Sequence, residues 1–224
     1  MKRIATTILI VLFIATTISN SAAAPNGQLD QILNNMQREA AKITTIFANM
    51  DQAKRDPNIG GTEKYSGQIF FKHAGKNNDK VRINYVVPRG QTIWIVGDRI
   101  TLYQEATKTA YISSRKAQAS KNSEYAFVAT PYTSVPDLKR QYNITHIGDE
   151  QGMAKLELTP KSKSSLQKLT LWVDQSTWLP TKYQVVESNN DVTTFTLSNL
   201  KVNGVISEGT FKADYPPGTK IVNR

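Results

Sequence analysis

Residues Leu166 to Asn203, LQKLTLWVDQSTWLPTKYQVVESNNDVTTFTLSNLKVN, constrain the fold more than any other stretch, because they read as three consecutive antiparallel strands. Leu169, Leu171 and Val173 alternate with Lys168, Thr170, Trp172 and Asp174, the period of two that a pleated strand imposes. Gln175-Ser176-Thr177 breaks that pattern, and Pro180, which has no amide hydrogen to donate, is tolerable only near a strand start or at an edge. Tyr183, Val185 and Glu187 resume the alternation around Lys182, Gln184 and Val186. Ser188-Asn189-Asn190-Asp191 has hairpin-turn composition, since Asn tolerates the positive φ of tight turns. Phe195 and Leu197 follow in a strand rich in Thr and Val. Apolar side chains lie on both faces, so such a sheet needs cover on one side and apolar matter against the other.

The remaining segments extend the same pattern. Leu29, Ile32, Leu33, Met36, Ala40 and Ile43 recur every three or four residues, predicting an amphipathic helix over Gly27–Thr44 that packs on the sheet. From Thr45 the period becomes two, with strands expected around Ile46–Met50, Tyr65–Phe71, Val81–Tyr85, Ile93–Val96, Ile100–Tyr103 and Thr109–Ser113. Loops at Pro57–Gly61, Gly75–Lys80, Pro88–Gly90 and Gly97–Asp98 separate them, the signature of a meander rather than of β-α units. Between Ser114 and Arg140 the strand pattern lapses. Arg115–Thr130 reads as a helix, and Val135-Pro136-Asp137-Leu138 as the start of a shorter one. Strands return at Gln141–Ile147 and Ala154–Thr159, and the tail carries a turn at Tyr215-Pro216-Pro217-Gly218.

The beginning of the chain is read differently. Lys2 and Arg3 precede the apolar run Ile8–Ala15, and small residues follow at Ser21–Ala24, which is the layout of a secretory signal peptide. The run is shorter than the roughly 18 apolar residues of a membrane span. Cleavage is expected after Ala23, so residues 1–23 are a leader and 24–224 form a single exported domain. Without Lys2 and Arg3 the balance of 28 basic against 18 acidic side chains falls to 26 against 18, a net charge of +8. Such a charge suits an anionic membrane surface or an acidic partner, or simply a solubilised surface. Nucleic acid is not expected as a partner, because export removes the chain from it.

The residues offer little chemistry. With no Cys there is no disulfide, thiolate zinc site or cysteine nucleophile. His73 and His146 are isolated and lack metal-binding spacing, so neither metal nor cofactor is expected. There is no nucleophile elbow and no glycine-rich phosphate loop. Asp174 sits at a strand end beside a turn, where Asp is ordinarily structural. Asn143-Ile144-Thr145 fits the glycosylation triplet, which chance produces often. No enzymatic activity is expected. What remains is apolar surface: Ile69, Phe71, Val81, Ile83 and Tyr85 share the odd-numbered face of the early strands. That face is either ordinary core beneath the helix or the wall of a cavity suited to hydrocarbon chains.

Gln141-Tyr142-Asn143-Ile144 followed by Leu158-Thr159-Pro160-Lys161, Val81-Arg82-Ile83-Asn84-Tyr85 with Pro88, and Gly97 with Tyr103 appear in a characteristic order. So do Leu171-Trp172-Val173-Asp174 with Leu179-Pro180, and Phe211 with Pro217-Gly218. From the first helix to the tail the chain resembles the periplasmic outer-membrane lipoprotein carrier proteins (LolA). The resemblance implies a mainly β fold, an incomplete and strongly curved antiparallel barrel, with an amphipathic N-terminal helix and a helical lid over an apolar cavity. It implies a monomeric periplasmic carrier without catalysis. That carrier accepts acylated lipoproteins from an inner-membrane ATP-driven releasing complex and delivers them to an outer-membrane acceptor. By matching positions Val81 and Ile83 contact acyl chains; Ile69, Phe71 and Tyr85 lie on their face, and Leu33 and Met36 of the helix complete the expected lining. Residues 114–140, with Tyr125, Phe127 and Val128, would be the lid.

One departure stands out. Where the family usually has Arg-Pro at the end of the strand carrying Gly67, this chain has His73-Ala74 and a longer turn. The family's arginine resembles a latch to the lid, so His73 is a candidate latch, weaker and pH-sensitive because a neutral imidazole lacks the charged guanidinium fork. The departure keeps open a second reading, a carrier or sensor of another lipid or glycolipid on the same fold. A hydrolase is the third class, for which the residues assemble no nucleophile and base.

Overall fold

The stripe Leu29, Ile32, Leu33 and Met36 becomes one face of α1 (Pro25–Ala40), the first element of the computed structural model, which describes residues 25–58, 60–75, 78–88, 90–115 and 134–224. Ile32, Leu33 and Met36 are buried and Leu29 packs against them. The helix ends at Ala40, short of the Thr44 that periodicity suggests, for a tertiary reason. The Thr44 amide donates to the Asn203 side chain at 2.8 Å, and the Asn203 amide group donates to the Lys42 carbonyl at 3.0 Å. These bonds take the backbone of the last expected turn out of the helical ladder, while Ile43 still reaches the core.

β1 (Thr45–Arg55), β2 (Glu63–Lys72), β3 (Lys80–Val87), β4 (Gln91–Val96), β5 (Arg99–Gln104) and β6 (Thr109–Ser114) form the expected meander, each antiparallel to its predecessor. The short helix α2 (Val135–Gln141) follows, with Ser134 accepting from the Asp137 amide and Pro136 in its first turn. β7 (Tyr142–Glu150), β8 (Met153–Pro160), β9 (Leu166–Asp174), β10 (Pro180–Glu187) and β11 (Val192–Val202) are a second meander. The two unite because β11 returns beside β1, with Met50 opposite Leu197. After a 3₁₀ turn at Glu208–Phe211, β12 (Lys220–Asn223) lies parallel to β6. Neither element was expected from the tail's turn composition.

The result is one 12-stranded sheet in the order β12-β6-β5-β4-β3-β2-β1-β11-β10-β9-β8-β7, unclosed between its two edges. Ile100 of β5 and Leu156 of β8 are far apart in that order, yet share one buried cluster with Leu33 of α1 and Leu138 of α2. The sheet therefore curls around its helices, and the mainly β half-barrel is the fold.

The stretch read first behaves as its alternation requires on the inner face, where Leu169, Leu171 and Val173 are buried. Pro180 opens β10, and Asn190 takes φ 69° in the hairpin. The outer face is covered differently from the second apolar layer that reading called for. Trp172 is only 6% exposed there because Lys155 and Lys182 lie over its ring at 5.0 and 4.3 Å, their methylene stems shielding the indole. On the other half of the sheet the tail supplies the cover: Ala213 and Tyr215 pack on Trp94, Tyr103 and Ala110, with Tyr103 and Tyr215 stacked at 6.1 Å.

Candidate functional site

The inner face of β2 and β3 gathers the residues that the sequence singled out. Across the antiparallel register Ile69 faces Ile83 and Phe71 faces Val81, and both pairs are buried. Tyr85 continues the row opposite Gly67. Leu33 and Met36 of α1 belong to the same cluster, so the seven expected lining residues lie in one apolar body. Sequence reasoning did not assign Ile46 and Met50 of β1, Ile93 and Ile95 of β4, or Leu156, Leu158 and Tyr183 from the second meander to this apolar body, and all of them belong to the same buried cluster. The signal was present for β1, whose alternation was visible; the second meander could be added only once β11 was known to pair with β1.

The apolar face carries a buried polar pair. Gln52 falls on the inward phase of β1 and is 5% exposed, and it accepts a hydrogen bond from the Tyr85 hydroxyl at 2.9 Å. The Tyr65 ring meets Tyr85 edge-on at 6.0 Å, and the Tyr65 hydroxyl donates to the exposed Glu63 carboxylate at 2.7 Å. Polar groups thus run from the interior to solvent at the β1–β2 end, while the body of the face is hydrocarbon.

At the opposite end, His73 follows β2 with its side chain about half exposed. Its Nδ1 lies 2.7 Å from Asp79 Oδ1, and the Ala74 amide donates to the same oxygen at 3.3 Å. Arg115, just after β6, donates from Nη2 to the Asp79 carbonyl at 3.3 Å. Burial lowers the pKa of that guanidinium, and Asp79 and Asp98 oppose the shift. The His73 turn and the first residue beyond β6 are consequently tied through Asp79. Tyr125, Phe127 and Val128, and most of the expected lid, lie outside the described residues.

The other polar candidates are local. Asp174 accepts from the Ser176 hydroxyl at 2.6 Å and from the Ser176 and Thr177 amides, which hold its carboxyl below the ordinary carboxylate range. It is a turn residue. His146 pairs with Asp149 at 2.8 Å on β7. Among the described residues no three His, Asp or Glu side chains converge in a way that could hold a metal, and no helix is long and apolar enough to cross a membrane.

The family profile described as outer membrane lipoprotein carrier protein LolA matches residues 41–214. No match was found among curated proteins. Solved structures that share the fold include the following three. An uncharacterized conserved protein from Thermus thermophilus is 13% identical with a TM-score of 0.55, covering 88% of this chain and 99% of that one. A DUF1329 family protein from Desulfovibrio piger is 15% identical with a TM-score of 0.54, covering 85% of this chain and 98% of that one. MucB is 14% identical with a TM-score of 0.53, covering 88% of this chain and 66% of that one.

Proposed function

The chain belongs to the outer membrane lipoprotein carrier protein LolA family, and from that premise we propose that it is an exported, periplasmic carrier of lipoproteins. The observation that supports this most is the continuous apolar inner face, Ile69, Phe71, Val81 and Ile83 beneath Leu33 and Met36, on a sheet that stays open along one side. Acyl chains lie against that face, and the polar head of the cargo points toward Tyr85 and Gln52. An inner-membrane ATP-driven complex loads the carrier and an outer-membrane acceptor unloads it. No bond is made or broken.

Energetics favour a modest grip. Burying hydrocarbon is worth about 0.8 kcal/mol per CH₂, so one long acyl chain offers roughly 10 kcal/mol. A carrier that captured all of it could not release its cargo. Residues 114–140 act as the lid whose displacement offsets part of that gain, and His73 acts as a latch through Asp79 and Arg115. Replacing His73 with Ala then changes ligand exchange; unchanged affinity and exchange rates would reduce His73 to a strand-end residue.

The test is native mass spectrometry of the protein recovered from the periplasm, with its bound species identified. A triacylated lipoprotein or acylated peptide supports the proposal. A free phospholipid or glycolipid supports the second reading, a carrier or sensor of another lipid, which the His73-Ala74 departure favours. A protein that stays empty and refuses acylated peptides in vitro overturns both.

A further inference from the structure

The chain that leaves β11 does not lie flat on the outer face. Its first foot is fixed beside β1: the Asn203 amide donates to the Thr45 carbonyl at 2.9 Å, and the Thr45 hydroxyl donates to the Gly204 carbonyl at 2.6 Å. Its second foot is fixed on β2 and β3. Glu208 accepts from Lys72 at 2.7 Å and from Lys80 at 2.6 Å, Arg82 donates to the Thr210 carbonyl at 3.2 Å, and Phe211 is buried. Between the feet the span Val205–Ser207 arches over the sheet and leaves a cavity of about 380 Å³.

That cavity is separate from the inner face. Phe47 and Phe70 line it, and both alternate with buried inner residues, so they point outward. Their rings meet at 5.1 Å, tilted by 55°. Ile206 and Val205 line the arch, and Val205 is fully exposed although apolar. The one charged residue in the lining is Lys201, opposite Phe47 in the strand register, with no ion-pair partner among the described residues. The nearby carboxylate of Glu208 is already engaged by two lysines.

We propose that this arch is a second binding site, for the end of a free monoacyl anion of the fatty-acid class. The apolar chain lies across Phe47 and Phe70 under the arch, and the carboxylate meets Lys201. The size sets the class: small-molecule pockets run from about 300 to 1,000 Å³, so a cavity at the lower bound takes one chain end rather than a diacyl lipid. The charge sets the head group, because an apolar cavity with one cation and no carboxylate in its lining selects an anionic amphiphile over a neutral or cationic one. The inference does not depend on what the inner face carries.

The experiment uses the purified protein with isotope-labelled phenylalanine, titrated with decanoate below its micellar concentration and separately with decanol. Cross-relaxation from the decanoate chain to the Phe47 and Phe70 rings is expected. Lys201→Glu, at an exposed position, weakens decanoate about fivefold to tenfold and leaves decanol unchanged. Contacts confined to the inner phenylalanines Phe71 and Phe195, no contact with Phe47 or Phe70 at saturation, or a Lys201→Glu variant with unaltered decanoate affinity would each overturn the proposal. Should the variant fail to fold, the contacts in the unmodified protein decide it alone.

Discussion

The Tyr85 hydroxyl reaches over β2 to donate to Gln52 at 2.9 Å, although the two residues lie on strands that are not neighbours. The reach is possible because the inward position between Met50 of β1 and Tyr85 of β3 is Gly67, which places no side chain in the path. This pair sits on a predominantly hydrocarbon wall. A buried hydrogen bond of this kind contributes about 0.5–1.5 kcal/mol net. In a double-mutant cycle with Tyr85→Phe and Gln52→Leu, urea denaturation should give a coupling of about 1 kcal/mol. Additive single effects would show that the two side chains merely share the face.

Gly67 is also required by close backbone approach. A Cβ at this position would fall against the Asn84 carbonyl oxygen, which as backbone cannot rotate away, and would lie 3.2 Å from Tyr85 Cα. The register between β2 and β3 slips between Ser66 and Gly67, at the point of this close approach. Gly67→Ala should cost about 1–3 kcal/mol, the range of overpacking. It should also disturb the Tyr85–Gln52 bond, visible as a shift of Tyr85 resonances. Wild-type stability in this variant would mean that the strands separate freely at the bulge.

Glu208 fastens the tail to the sheet, and it does so by charge. Lys72 first, and then Lys80, lower its pKa from the ordinary 4.5 to about 2. The folded value lies below the unfolded one, so the fastening is fully present above about pH 4.5 and is lost as the pH falls toward 2. The carboxylate is exposed, so salt should weaken the effect. Protection factors for hydrogen exchange at Thr210 and Lys212, taken relative to the intrinsic exchange rate at each pH, should fall between pH 4.5 and 2 in the wild type. In Glu208→Gln exchange should already be fast at neutral pH, with no such acid step. Parallel pH profiles for the two proteins would remove Glu208 from the fastening.

β12 shields one edge of the sheet, with the Lys220 amide donating to the Lys108 carbonyl at 2.9 Å and Arg224 lying over the Tyr111 ring at 3.9 Å. Deleting residues 219–224 leaves the outer edge of β6 uncovered, a template for association with a second chain. If the deletion costs about 1–2 kcal/mol, Tm should fall by roughly 2–8 °C for a chain of this size, and light scattering should report larger species than for the intact protein. A monodisperse deletion variant with unchanged Tm would show β12 to be dispensable.

What is local in this protein is legible in its sequence. Side chains that alternate with a period of two must choose opposite faces, so Ile69, Phe71, Val81 and Ile83 were placed together before any fold was known. Turn composition marked the Asn190 hairpin, and helical spacing marked Ile32, Leu33 and Met36. Tertiary structure decided what depends on distant partners. The pairing of β1 with β11, which unites the two meanders, has no counterpart in either strand's own pattern. Nor does the parallel seat of β12, or the Asn203 side chain that ends α1 at Ala40. The arch over Phe47 and Phe70 follows from those same contacts: its walls come from β1, β2, β11 and the tail, and residues so far apart in sequence meet only when the sheet has curled. Local periodicity reports which face a side chain takes; what that face will meet is set by long-range packing.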